Sequence, residues 1–189
     1  MIVKVLAPAA FTGLLLSGAM GTAPAAAQEQ VASDSSFMQV AGSVGLLQLK
    51  LGKLAEKKGS STGVREFGRR MVADYSKANE ELAAAARQAA FPAPVLLRQH
   101  QQILNRFTRK GRSSFDKDYM AEMVKNQGEE VRLFRRESEA GRVQSLKQLA
   151  ARMLPQLEHR LTLATQTAAL VGADVTASSS EAKQASRGD

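Results

Sequence analysis

The sequence predicts an all-α protein, an antiparallel four-helix bundle with an extra crossover helix. Every ordered stretch repeats its apolar residues at the helical period, and none alternates as a strand would. Four long periodic segments are joined by short breaks, with one shorter segment between the second and third. At 189 residues, 44% hydrophobic and 23% charged, the chain suits one globular domain with additions at its ends.

Residues 1–27 read as a secretory signal peptide. One early cation, Lys4, precedes an apolar run from Val5 to Met20, and Ala25-x-Ala27 supplies a cleavage site before Gln28. The run is short for a membrane span, which needs about 20 residues, and is broken by Pro8 and Gly13. No later segment is long and apolar enough to cross a bilayer. The chain is therefore expected to be periplasmic or secreted, with outer-membrane association possible only peripherally.

The helical domain is expected over residues 34–172. Its first helix runs from Asp34, read as the N-cap, to Lys57, with Phe37, Ala41, Val44, Leu51 and Ala55 on one stripe. "KKGSST" ends it. The second runs from Thr62 to Ala90 with Val64, Phe67, Met71, Ala78, Leu82 and Ala85 inward, and "FPAP" stops it because proline removes a donor and disfavours helix before it. The crossover helix, Val95 to Arg109, offers Leu97, Ile103, Leu104 and Phe107. The third long helix spans Phe115 to Ala140 with Tyr119, Met123, Val131 and Phe134 inward. The last spans Ser145 to Gly172, opened by a capping box of Ser145 and Gln148 and kinked at Pro155. Residues 173–189 are small and polar and read as a disordered tail.

Composition excludes much chemistry. With no cysteine there is no disulfide, thiolate metal site, cysteine nucleophile or N-terminal acyl anchor. Two histidines, His100 and His159, leave no visible nucleophile–base pair, and the glycines form no phosphate-binding loop. The chain reads as a non-enzyme without a cofactor. Its net charge of +8 is concentrated: from Ala83 to Phe115 there is no Asp or Glu. Arg98, Arg106, Arg109, Lys110 and Arg112 in that span form a candidate patch for anionic envelope lipid or polymer, against the simpler reading of a solvated face. An exported protein is not expected to meet nucleic acid.

Polar residues interrupt the inward stripes at mid-length. At 100° per residue, Gln48 lies about 40° from Val44, Tyr75 about 40° and Asp74 about 60° from Met71, and Gln127 about 40° from Met123, with Glu130 closer still. These five, Gln48, Asp74, Tyr75, Gln127 and Glu130, are predicted to form a polar layer in the core. Ferritin-like diiron bundles hold their carboxylate and histidine ligands at that height. The alternative is a metal or oxidative-stress site built from Asp74, Asp116, Glu130 and His159, although His159 falls roughly opposite the stripe of its own helix.

The segments "SDSSFMQVAGSVGLLQLKLGKLAEKKGSSTGVREFGRRMVADYSKANEEL", "FDKDYMAEMVKNQGEEVRLFRRE" and "LKQLAARMLPQLEHRL" resemble domain-of-unknown-function family 4142. The resemblance covers about Asp34 to Gly172. It implies a ferritin-like fold in an exported bacterial protein of the periplasm or outer membrane, and a structural or interaction role in the envelope or under stress. It brings no settled activity. The family pattern has Glu at Gln48, His at Tyr75 and His at Gln127, and keeps His159. Each replacement exchanges a good metal ligand for a neutral hydrogen-bonding side chain, so the resemblance implies a degraded metal site.

Overall fold

A computed structural model describes residues 25–175, and among them are five α-helices and no strand: α1 (Ala25–Lys58), α2 (Thr62–Gln88), α3 (Arg98–Arg109), α4 (Arg112–Ala140) and α5 (Gln144–Leu170). Residues 1–24 of the predicted leader and 176–189 of the predicted tail lie outside the described residues. Ala173 and Val175 pack against the core, so the ordered chain continues past Gly172.

Helix ends follow local chemistry in one place and tertiary chemistry in two. Ser61 caps α2 through its hydroxyl, which accepts from the Val64 N–H at 3.1 Å. The predicted capping of α1 and α5 is different. Asp34 is not an N-cap, because α1 already runs from Ala25, and the α5 N-cap is Val143, with no side-chain bond from Ser145. Instead Asp34, buried on α1, reaches across to the α4–α5 loop, where its carboxylate accepts from the N–H groups of Arg142 (3.2 Å) and Val143 (2.7 Å). Asp116 on α4 does the same for the α1–α2 loop, accepting from Ser60 (2.9 Å) and Ser61 (2.7 Å). Turn donors without local partners, exposed at Ser60 and Arg142 and half-buried at Ser61 and Val143, are satisfied by a carboxylate from the opposite pair.

α1 lies along α2 and α4 along α5; α1 also meets α4, α2 meets α5, and α3 lies on α1. Gly45 faces Asn79 and Gly52 faces Gly68 and Met71, so α1 and α2 run antiparallel. At Gly52 and Gly68 the two backbones nearly touch: a Cβ on Gly68 would sit 2.8 Å from the Gly52 carbonyl oxygen. Only glycine permits that approach.

The two pairs share one register. A shift of 82 residues carries Asp34 onto Asp116 and Ser60–Ser61 onto Arg142–Val143. The same shift carries the buried Val64, Phe67, Met71, Tyr75, Ala78 and Leu82 of α2 onto the buried Leu146, Leu149, Met153, Leu157, Arg160 and Ala164 of α5. On the other helices it carries Phe37, Met38, Ala41 and Gln48 onto Tyr119, Met120, Met123 and Glu130, again all buried. The chain is built from two matching helical hairpins.

α3 closes one side. Phe107 is its buried anchor, edge-on to Phe115 and Tyr119 with ring centroids 6.1 and 6.2 Å away. The Lys58 ammonium donates to the carbonyls of Phe107, Thr108 and Lys110 at 2.6–3.1 Å, tying the end of α1 to the C-terminal end of α3, where cations are favoured. Pro155 lies inside α5 on its exposed face.

Candidate functional site

Midway along the four long helices, each contributes a fully buried polar side chain: Gln48 from α1, Tyr75 from α2, Gln127 and Glu130 from α4, and Arg160 from α5. Tyr75 places its hydroxyl between two acceptors. It donates to Glu130 Oε2, and Gln127 Oε1 lies 3.4 Å away. Gln127 in turn directs its amide N–H at the Met71 sulfur, 3.7 Å distant. The Arg160 guanidinium stacks on the Tyr75 ring, its central carbon 4.5 Å from the ring centroid.

Arg160 is the residue that sequence reasoning missed. It follows Leu157 by three positions and precedes Ala164 by four, so helical spacing alone places it on the buried stripe. The neighbouring His159, the histidine that the family pattern keeps, is exposed on the outer face of α5. Arg160 is only 1% exposed, and among the described residues its Nε, Nη1 and Nη2 have no hydrogen-bond partner; neither amide atom of Gln48 has one either. An unmade bond at a buried polar group costs about 1–3 kcal/mol. A desolvated cation over a ring returns about 2 kcal/mol. The layer is therefore unevenly satisfied, complete around Tyr75 and open around Gln48 and Arg160.

Burial dominates the electrostatics. It pushes Glu130 up from its ordinary 4.5 to about 7, against the opposing influences of the Arg160 charge and the Tyr75 hydrogen bond. Burial, reinforced by Glu130, also raises Tyr75 well above its ordinary range. The Tyr75 hydroxyl therefore stays protonated, while Glu130 holds and releases a proton near neutrality.

The remaining predicted residues lie elsewhere. Asp74, one position from Tyr75, is half-buried and outside the network, because the inward stripe of α2 passes through Met71, Tyr75 and Ala78. Asp116 is engaged with the α1–α2 loop. The alternative metal set of Asp74, Asp116, Glu130 and His159 thus does not converge, and among the described residues no group of three or more His, Asp and Glu side chains is arranged to hold a metal. The predicted basic patch is partly neutralised: Arg106 pairs with Glu122, and Lys110 with Asp118 at 2.5 Å, both across to α4. Arg98, Arg109 and Arg112 are exposed.

A nucleophile–base geometry does exist, from residues 57 positions apart: Ser43 Oγ lies 2.6 Å from His100 Nδ1. Ser43 is fully buried beneath α3 and also accepts from the Leu97 N–H at 2.8 Å, so the pair pins the start of α3 to α1. Burial lowers the His100 pKa below its ordinary 6.5 and favours the neutral ring.

The family model described as "Domain of unknown function (DUF4142)" matches residues 19–167. The chain belongs to the DUF4142 family. No curated protein and no solved structure matches it. In this DUF4142 chain, then, the mid-length layer is an arrangement of one phenol, one carboxyl, one guanidinium and two amides.

Proposed function

We propose that this DUF4142 protein is an exported, ferritin-like four-helix bundle that acts as a structural or interaction protein of the cell envelope, without metal chemistry or catalysis. The observation that carries the reading is the buried Arg160 guanidinium over Tyr75, at the height where a diiron bundle would gather its ligands. A fixed internal cation beside the single buried carboxyl of the layer supplies positive charge there and repels a divalent ion. The amides of Gln48 and Gln127 and the Tyr75 phenol are poor partners for iron, zinc or copper. The residues present do not fit a metal centre.

Metal analysis of the purified mature chain after exposure to Fe(II), Mn(II), Zn(II) and Cu(II) tests this. The expected result is substoichiometric metal, with affinity created in the combined Gln48→Glu, Tyr75→His, Gln127→His and Arg160→Ala variant. Stoichiometric metal in the unmodified chain, lost on Glu130→Gln, would overturn the reading. Export rests on the Ala25-x-Ala27 triplet behind the apolar run. Intact-mass measurement of exported material should give an N-terminus at Gln28, and one at Met1 contradicts export. Envelope contact rests on the exposed cations Arg98, Arg109 and Arg112, each worth about 1 kcal/mol beside anionic lipid. Reversing all three to Glu should abolish salt-sensitive co-sedimentation with anionic vesicles, whereas unchanged binding reduces the patch to a solvated face.

A further inference from the structure

A cavity of about 290 Å³ opens between α1, α3 and α4 and reaches Glu130. Val40, Val44, Leu47, Ile103 and Leu133 give it apolar walls, and His100, Asn126 and Glu130 supply its inner polar groups. Its polar chemistry is specific. Asn126 is buried, and its Nδ2 has no hydrogen-bond partner. Ser43 Oγ accepts from the Leu97 N–H, and in the tautomer where its own proton goes to His100 Nδ1, His100 Nε2 carries the ring N–H and is a donor. Among the described residues that nitrogen has no hydrogen-bond partner. Glu130 uses Oε2 for Tyr75 and keeps its other oxygen.

Charge is offset around the opening, where exposed Glu129 and Arg136 carry opposite signs. An anionic ligand would approach two glutamates. A cationic one would leave the Asn126 and His100 donors facing no acceptor. A carbonyl oxygen with an adjacent N–H satisfies all three polar groups at once. The volume is about twice that of the roughly 150 Å³ cavity that takes up benzene, which suits two fused rings.

We propose that this cavity binds a small uncharged amphipathic molecule, a flat apolar body of about two rings bearing a carboxamide-like head. Its carbonyl accepts from His100 Nε2 and its N–H donates to Glu130, while a turn of the Asn126 amide about its side chain brings Nδ2, closed to solvent in the empty cavity, onto the same carbonyl; the body packs on Val44, Leu47 and Ile103. The proposal goes beyond the envelope role and stands whether or not the layer behind Glu130 excludes metal.

Titration calorimetry on the mature chain with 2-naphthamide, 2-naphthoate and 2-naphthylmethylamine separates the possibilities. The amide should bind saturably at one site per chain, at least tenfold tighter than either charged analogue. Val44→Trp, which fills the cavity, should abolish binding. Asn126→Leu should weaken it about tenfold, the effect of one lost hydrogen bond, with circular dichroism unchanged and the melting temperature no lower. Should Val44→Trp fail to fold, Ile103→Trp serves the same purpose. No saturable binding of the amide, equal or tighter binding of a charged analogue, or affinity unaltered in both kinds of variant would overturn the proposal.

Discussion

The two hairpins share a frame and differ in what they bury. At three matching positions the first hairpin, α1–α2, places Gln48, Ala55 and Ala78, where the second, α4–α5, places Glu130, Glu137 and Arg160. At these three positions the first hairpin is neutral, and the second holds two glutamates and an arginine behind the same apolar stripes. The two buried glutamates also differ from each other. Glu130 faces a cation, Arg160, and a donor, Tyr75, yet burial still lifts it to about 7. Glu137 is lifted from 4.5 to about 7 by burial and by the negative charge of Asp34. A duplicated scaffold tolerates charge in one copy because the other supplies what that charge needs. Tyr75 comes from the first hairpin, and Leu157 stands at its equivalent in the second.

The sharpest way to break this asymmetry is to delete the central carboxyl. Glu130→Leu leaves Arg160 as an uncompensated buried charge and should cost about 3–5 kcal/mol in urea unfolding, largely recovered by adding Arg160→Met. The matching change in the first hairpin, Gln48→Leu, removes two unpartnered amide atoms and should be neutral or stabilising by about 1 kcal/mol. Equal losses at both positions would refute the contrast.

The pH dependence comes next. Between about 4.5 and 7 the folded chain keeps protons on Glu130 and Glu137 that the unfolded chain has released. Their stabilising contribution is complete below 4.5 and lost as pH rises to about 7. The melting temperature should fall from pH 5 to pH 8, and Glu137→Gln should flatten that fall. His100 acts in the opposite sense, since its lowered pKa contributes stability that is lost as pH drops below 6.5. His100→Asn should therefore steepen the fall. Tyr75→Phe removes one bond to a charged acceptor and should cost about 2 kcal/mol, measured by denaturant midpoint at constant m-value. The smallest effect lies in the α2–α3 connection, where Ala90 adopts a positive φ of 54°. Ala90→Gly should stabilise the protein by about 0.5–1 kcal/mol, read as a rise in melting temperature.

Much of this was legible in the chain. Apolar spacing places Phe37, Ala41, Leu51, Met71 and Leu82 inside, and the proline-bearing "FPAP" ends α2 close to where the helix stops. Gln48, Tyr75, Gln127 and Glu130 are buried at one height because the helical period fixes them there. What spacing cannot resolve is a pair such as Asp74 and Tyr75. They lie on either side of the same line, and packing against α4 selects one. Asp34 and Ser145 show the other limit. Both carry the local signature of a helix start, but the donors that needed capping near Asp34 belong to a loop more than 100 residues away. Arg160 required no long-range information; its position on the stripe was readable from Leu157 and Ala164.

The clasp between Asp34 and the Arg142–Val143 turn has a kinetic consequence. Each hairpin has a short connection and can form from near neighbours in the chain, quickly and independently. The Asp34 contact joins residues 108 and 109 positions apart, so it forms only after both hairpins exist and have docked. In a chain made from its N-terminus, Asp34 must wait for a turn more than 100 residues behind it. During that interval the turn amides of the second hairpin have no carboxylate partner, and the assembly stage of folding is the one that Asp34→Ala would slow.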